Sequence, residues 1–209
     1  MTQSTRVNGP WALAAAGLIM VAVAGCGSSA PKRLVPPALD PQAVMAAVMA
    51  AADADGNGSL DRQELVRVPG LAGGLGLLDA DSSGSLSAAE ITAWLDAIKA
   101  SRVAITSLAL QVTQKGKPLA DVVVKLVPEA CMGKETMAAE GRTDASGSAT
   151  VSIPGSPYPG VNCGIYRAEI TGTDSGGKPL PSRYNSETVL GVAVGGLLPE
   201  NGTVVFDLD

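Results

Sequence analysis

The chain contains no histidine, no run of basic residues, and only one Phe, two Trp and three Tyr among its 209 residues. The lack of histidine removes the commonest general base, the usual partner of a nucleophilic Ser or Cys, and the usual zinc ligand. A net charge of -5 and the scarcity of aromatic rings argue against nucleic-acid binding. The sequence therefore predicts a protein that is not an enzyme and has no nucleic-acid partner. An enzyme that uses carboxylates alone is disfavoured, because most acids outside two clusters are scattered among turns.

The N-terminus also lacks a hydrophobic run long enough to span a membrane. Arg6 is followed by an uncharged apolar stretch from Trp11 to Val23, which small residues close before Cys26. A spanning helix needs about 20 apolar residues, so a retained transmembrane helix is the weaker alternative. The pattern predicts an export signal over residues 1–25.

The four residues from Val23 to Cys26 (VAGC) resemble the lipobox of bacterial lipoproteins. That resemblance implies that Cys26 is lipidated and anchors the exported chain to a membrane of the cell envelope. Gly27 is not the aspartate associated with retention in the inner membrane, which implies the outer membrane or the surface. The Ser- and Pro-rich composition predicts that residues 26–39 form the lipidated cysteine and a flexible tether.

Two twelve-residue stretches carry oxygen-bearing side chains in the same order. The first loop runs from Asp53 to Glu64 (DADGNGSLDRQE) and the second from Asp79 to Glu90 (DADSSGSLSAAE). Each places oxygen ligands at positions 1, 3, 5, 9 and 12 around a glycine at position 6. Ca²⁺ takes about six to eight oxygen ligands, and a short chain supplies them only by turning sharply around the ion.

This pattern resembles the calcium loop of EF-hand proteins. The resemblance implies two Ca²⁺ sites, with position 7 contributing its carbonyl, position 9 a direct or water-bridged contact, and position 12 both carboxylate oxygens. The implied ligands are Asp53, Asp55, Asn57, Ser59, Asp61 and Glu64 in the first loop, and Asp79, Asp81, Ser83, Ser85, Ser87 and Glu90 in the second. The alternative is a pair of acidic turns that never bind an ion.

Helical signals surround both loops and define a predicted domain over residues 40–101. Asp40 and Pro41 predict a helix to Ala52, and later helices are expected over 62–68, over 71–78 and after Ser87. Three glycines weaken the helix over 71–78 by about 1 kcal/mol each relative to alanine. Because this weak helix enters the second loop, which has one carboxylate fewer, we expect the first loop to bind calcium more tightly.

The loops start only 26 residues apart, which shortens the intervening helices relative to usual paired EF-hands. The tandem loops also resemble those of dockerins, which bind a partner protein. Met45 and Met49 lie on the stripe that Val44 and Val48 begin. They are interpreted as core residues, with a target-binding groove as the alternative.

From Arg102 onward the hydrophobic pattern alternates, which predicts an all-β domain over residues 102–209. Many short strands separated by turn clusters favour a β-sandwich. The candidate strands are Ala104 to Thr113, Asp121 to Val127, Ser148 to Ile153, Gly164 to Thr171, Val189 to Val194, and Thr203 to Leu208.

Several segments of this domain resemble the carboxypeptidase regulatory-like domain, which has transthyretin-like topology. They are Gly116 to Val122 (GKPLADV), Val127 to Glu129, Thr143 to Gly147, Gly164 to Arg167, Pro181 to Leu190, and Phe206 to Leu208. The resemblance implies a structural or interaction module rather than a catalyst. The predicted fold class is therefore α+β and multidomain, with a helical EF-hand pair followed by a transthyretin-like sandwich.

Two cysteines and three polar residues of this domain are further candidates. In an exported protein Cys131 and Cys163 are expected to form a disulfide, with two free thiols as the alternative. Arg167, Arg183 and Tyr184 either form a ligand patch or occupy surface and strand-end positions, and the second interpretation is favoured because no other group converges on them.

Together these features predict a calcium-binding envelope or surface lipoprotein with a β-sandwich that contacts a protein partner. Calcium is expected to stabilise the fold, because carboxylates of like charge repel one another without a cation. The alternative is a calcium-responsive regulatory or dockerin-like subunit that binds a partner protein on calcium loading. Exposure of apolar surface on calcium binding would distinguish the alternative from the main prediction.

Overall fold

The computed structural model describes residues 34–196 and 203–209. The predicted signal over residues 1–25, Cys26, and the tether residues up to 33 lie outside the described part. Leu34–Asp209 forms one compact unit with an α+β fold, which confirms the predicted class in its coarse form. Among the described residues, no helix is both long and apolar enough to cross a membrane.

Four α-helices lie in the first part of this unit, and local capping explains where three of them begin. They are α1 (Pro41–Ala52), α2 (Arg62–Leu65), α3 (Pro69–Leu78) and α4 (Ala88–Ser101). Asp40 accepts two backbone amides of the first turn of α1, as its position before Pro41 predicts. Capping boxes begin α2 and α4. The helix α3 has no side-chain cap from its preceding residue, Val68.

Ten strands form three sheets in the described residues. They are β1 (Ser59–Leu60), β2 (Leu86–Ser87), β3 (Ala109–Gln114), β4 (Lys117–Pro118), β5 (Val123–Pro128), β6 (Ala139–Arg142), β7 (Ser148–Thr150), β8 (Gly164–Thr171), β9 (Gly191–Val194) and β10 (Thr203–Leu208). One sheet is the antiparallel pair β1–β2, and another has the order β6-β5-β8-β9. The third has the order β10-β3-β4, with β7 also paired to β3 and with β10 parallel to β3.

Two hydrophobic clusters hold the unit together. The first lies between the two larger sheets and includes Leu110 of β3, Leu126 of β5 and Phe206 of β10. The second combines residues of the four helices with Ile165 of β8 and Ala193 of β9. Because this second cluster draws on both the helical part and a sheet, the helices are packed onto the β-structure through a shared core.

Several elements differ from the predictions, among them β1, β2 and β4, which are not among the candidate strands, and β3, which begins at Ala109 instead of Ala104. The helix α2 ends at Leu65 instead of residue 68, because the amides of Arg67 and Val68 donate to carbonyls only three residues back, and Pro69 then begins α3. The strand β6 was not predicted. The last residues of the predicted tether contact the folded unit. The backbone amide of Ala38 donates to Glu135 at 2.7 Å, and Leu39 packs against the second cluster.

The predicted disulfide finds no support, because Cys131 and Cys163 are both free thiols in the structure. The sulfur of Cys163 packs against Gly195, where an added Cβ would lie 2.9 Å from it. Burial, reinforced by the charge of Glu129, raises the pKa of Cys131 to about 11. Burial also raises the pKa of Cys163. Both groups are therefore protonated and weakly nucleophilic at neutral pH.

Candidate metal centre

Each of the two acidic loops turns at its sixth residue. Gly58 and Gly84 have φ angles of +81° and +83°, a backbone conformation that glycine adopts without steric cost. Immediately after the turns the loops pair as β1 and β2, with Leu60 opposite Leu86. Both leucines are completely buried. The loops are therefore held side by side with their eighth residues in register.

Three carboxylates converge in each loop. One oxygen from each of Asp53, Asp55 and Glu64 lies within 4.8 Å of the other two, and the corresponding acids of the second loop converge in the same way. The corresponding acids are Asp79, Asp81 and Glu90. Acids that are 11 residues apart in sequence therefore face one point in each loop.

The same hydrogen bonds shape both loops. Asp53 Oδ2 accepts the amide of Gly58 at 3.0 Å, and Asp79 Oδ2 accepts the amide of Gly84 at 2.8 Å. The acid at position 3 accepts the amide of position 5 at 3.0 Å in both loops. The two sequences thus fold into one framework, although they differ at positions 4, 5, 9, 10 and 11.

The last glutamate of each loop joins its two ends. Glu64 accepts the amide of Ala54 at 2.7 Å through Oε1 and the amide of Asp61 at 3.0 Å through Oε2. Glu90 accepts the equivalent amides at 2.8 and 2.9 Å. Both glutamates are the third residue of an exit helix, so the capping box that begins the helix also positions the carboxylate.

The other predicted ligands have more varied roles in the structure. They are Asn57, Ser59, Asp61, Ser83, Ser85 and Ser87. The carboxylate of Asp61 caps α2 and is not part of the three-acid group. Ser59 Oγ donates to Ser85 Oγ at 3.0 Å, which links the two loops at their seventh positions. The side chain of Ser87 caps α4 and also donates to Glu90 at 2.8 Å.

Hydrogen bonds lower the pKa of two acids in the second loop. The backbone amide of Gly84 lowers the pKa of Asp79, and the backbone amide of Ser87 lowers that of Glu90. Both groups are therefore ionised at neutral pH and present negative charge to the centre of the loop.

The residues of both loops fit a hard divalent cation. Every converging donor is an oxygen, and carboxylate, carbonyl and water oxygens are the ligands that Ca²⁺ and Mg²⁺ prefer. Asp55 and Asp81 are exposed, so solvent reaches both groups, whereas Glu64 is buried. Calcium accepts flexible coordination by six to eight oxygens, whereas magnesium demands a near-ideal octahedron.

The polar residues singled out in the β-domain do not form a second centre. Arg167 pairs with Glu169 at 3.2 Å on β8. Arg183 stacks 4.8 Å from the ring centroid of Tyr184 and donates to its hydroxyl at 2.8 Å. The same hydroxyl accepts the backbone amide of Asp209 at 2.9 Å. Arg183 and Tyr184 are thus joined at the C-terminal strand, which agrees with the favoured strand-end interpretation.

Glu129 is a partly buried acid for which no sequence pattern indicates a chemical role. Its Oε1 atom is buried and has no hydrogen-bond partner among the described residues. Burial raises the pKa of Glu129, although the Gly70 backbone amide and the Arg167 guanidinium oppose the shift. Gly70 is the second residue of α3, so this carboxylate lies near the uncapped start of the helix that leads into the second loop.

We expect the substitution Glu129→Gln to change how stability depends on pH. A raised folded-state pKa stabilises the protein below the unfolded pKa, and this contribution is lost as pH rises through the folded pKa. Relative to the wild type, the variant should therefore gain stability as the pH rises above the ordinary pKa of 4.5. Urea unfolding across this range, with the exposed Glu140→Gln as the matched control, measures the difference. A difference that does not vary with pH would contradict the assignment.

No known protein-family model matches the chain, and no curated protein matches it.

Proposed function

We propose that the protein is a calcium-binding lipoprotein of the cell envelope in which Ca²⁺ at two EF-hand-like loops stabilises the fold. One observation carries this proposal: the same three-carboxylate group, with the same hydrogen bonds, recurs in both loops and is joined through β1 and β2. Two independent acidic turns would have no reason to share a framework and to pair in register. The helices around the loops are interpreted as a short EF-hand pair.

In this proposal the ion of each loop is held mainly by the three converging carboxylates. The position-5 side chains and the position-7 carbonyls complete the oxygen set, with water at the exposed side. A bound divalent cation supplies positive charge that offsets the mutual repulsion of the acids. Asp53 and Asp79 orient the turns, and Glu64 and Glu90 connect the entering and leaving chain of each loop.

The rest of the proposal depends mainly on sequence. Cys26 is proposed as the lipid anchor that holds the exported chain at the outer membrane or surface, and loss of membrane association in a Cys26→Ala variant would test it. The part formed by the two larger sheets is proposed as a carboxypeptidase regulatory-like module that contacts a protein of the envelope. Its shared core between two sheets is compatible with such a sandwich.

A structural role for calcium is favoured over a regulatory or dockerin-like switch. Met45 and Met49, the candidate lining of a target groove, are partly buried and pack against the second hydrophobic cluster. A switch would have to remove these side chains from the cluster. The packing of the helical part against β8 and β9 therefore favours a structural, stabilising role for calcium.

Calorimetric titration of the full-length protein with CaCl₂ tests the calcium proposal. We expect two bound ions in the wild type, one in Glu64→Gln and one in Glu90→Gln. The exposed Glu140→Gln provides the same chemical change outside the loops and should bind two. Because Glu64 is the more buried of the two loop glutamates and Asp61 adds charge to its loop, Glu64→Gln should remove the tighter site. Absence of calcium heat in the wild type would refute the proposal.

A further inference from the structure

The helix α3 meets the strand β9 backbone to backbone. A Cβ added at Gly73 would lie 2.0 Å from the carbonyl oxygen of Gly191, and one added at Gly191 would lie 2.3 Å from the carbonyl carbon of Pro69. Gly74 faces the side chain of Ala193, with 2.7 Å between its added Cβ and that methyl group. Gly73 and Gly74, two of the three glycines that weaken α3 as an isolated helix, are thus required for its contact with the sheet.

Gly76 lies on the same helix but serves no such contact. A Cβ added there would have no described heavy atom within 4 Å. A glycine-to-alanine substitution can therefore be compared at two positions of α3. At Gly73 the new methyl group meets β9, and at Gly76 it meets no neighbouring strand.

The helix α4, which follows the second loop, is bonded to the residue directly after this strand. The indole N–H of Trp94 donates to the carbonyl oxygen of Gly195 at 2.8 Å, in a buried bond. A Cβ added at Gly195 would also lie 3.2 Å from the side chain of Ile98. Both helices that flank the second loop are therefore fixed to residues 191–195.

The positions of α3 and α4 affect the distance between two acids of the second loop. Asp79 is the C-cap residue of α3, and Glu90 is the third residue of α4. The distance between these two acids depends on how α3 and α4 are placed relative to each other. Since α3 packs on β9 and α4 is bonded to Gly195, the residue directly after β9, the position of this strand beside β8 links the two helices.

We propose that calcium binding at the second loop and the packing of β9 are one coupled equilibrium. Resting on the calcium function proposed above, this inference makes α3 and α4 the link between the ion and the β-sheet. Coupling free energies are reciprocal. Calcium therefore stabilises β8 and β9, and a loosened contact between α3 and β9 weakens calcium binding at the second loop.

Hydrogen exchange and calorimetry on the full-length protein test the coupling. In the wild type, CaCl₂ should slow amide exchange in the peptides that contain β8 and β9 relative to chelator. Gly73→Ala should weaken calcium binding at the second loop roughly five-fold or more, which is the lower end of typical coupling between linked sites. Gly76→Ala should bind at least as tightly as the wild type. Trp94→Phe, which removes the bond to Gly195 together with part of a buried ring, should weaken the same site.

The outcomes separate the coupling from the calcium function itself. Wild-type protein that binds no calcium would refute the function, and the coupling with it. Wild-type protein that binds calcium without any change in exchange at β8 and β9 would overturn only the coupling. A folded Gly73→Ala with wild-type affinity would do the same. Should Gly73→Ala fail to fold, the wild-type exchange data and Trp94→Phe decide the question.

Discussion

Chelation of calcium should lower the thermal unfolding midpoint of the protein by about 10 °C or more. Sites of extracellular type bind calcium with dissociation constants of about 10⁻⁴ to 10⁻³ M. At about 100 times the dissociation constant, a ligand that binds only the folded state adds about 2.7 kcal/mol per site. Two sites add about 5 kcal/mol, and in a unit of this size each kcal/mol moves the midpoint by about 2–4 °C.

Scanning calorimetry in CaCl₂ and in chelator measures this difference, with NaCl at equal ionic strength as the control for screening. The double variant Glu64→Gln/Glu90→Gln should have nearly the same midpoint in both conditions, because it lacks the last carboxylate of each loop. A wild-type midpoint that chelator leaves unchanged would show that the loops contribute no calcium-dependent stability.

The number of unfolding transitions seen by scanning calorimetry also tests the coupling between the helices and the sheet. Leu34–Asp209 is one compact unit, and the second hydrophobic cluster contains side chains of the helices and of the sheet. If the ion stabilises helices that share a core with β8 and β9, one cooperative transition should move as a whole. Two separate transitions, of which only one responds to calcium, would contradict the coupling through α3 and α4.

The local parts of the candidate site could be predicted because their signals lie close together in sequence. Asp40 before Pro41 correctly predicts the start of α1. The pair Ser87 and Glu90 folds into a capping box, and Gly84 has the positive φ expected of a sixth-position glycine. Each of these features depends on backbone groups within a few residues, so tertiary structure does not need to be known.

The glycine-rich helix shows where such local reasoning fails. By intrinsic propensity Gly73 and Gly74 weaken α3, and the sequence therefore predicts a weak helix over 71–78. The structure has a helix of ten residues at Pro69–Leu78. Gly73 and Gly74 face Gly191 and Ala193 of β9, which are far away in sequence. Nothing near α3 in the chain indicates this partner, so tertiary packing overrides propensity without a local signal.

The strand β6 (Ala139–Arg142, AEGR) was missed for a similar reason. It contains no β-branched or aromatic residue, which are the residues that indicate strands. Its conformation comes from antiparallel pairing with β5. A Cβ added at Gly141 would lie 2.5 Å from the carbonyl oxygen of Thr150, so this glycine also permits a close backbone contact. Pairing partners rather than composition therefore determine this part of the sheet.

Truncation of the leucine pair between the loops is expected to be the most damaging single change at the candidate centre. Leu60 and Leu86 are completely buried and lie opposite each other in β1 and β2. Leu60→Ala and Leu86→Ala should each cost about 2–5 kcal/mol through lost burial and the cavity that remains. Val66→Ala, at a position 54% exposed, removes methyl groups at the surface of the same region and should change stability by about 0.5 kcal/mol or less.

Urea unfolding at fixed calcium measures these changes, and the double variant measures how far they are additive. Residues in contact typically show coupling of about 0.5–3 kcal/mol, so the double variant should be more stable than the sum of the single changes predicts. Additive losses would show that the leucines act independently, in spite of their register across β1 and β2.

The calcium affinities of Leu60→Ala and Leu86→Ala show whether the pairing of β1 with β2 couples the two calcium sites. The loops are joined by the β1–β2 pair and by the bond from Ser59 Oγ to Ser85 Oγ, and both leucines belong to the second hydrophobic cluster. Leu60→Ala should therefore weaken calcium binding at the second loop as well as the first, and Leu86→Ala should weaken both in return. If each substitution affected only the loop that carries it, the two sites would be independent. The paired strands would then join the loops without transmitting any energy between them.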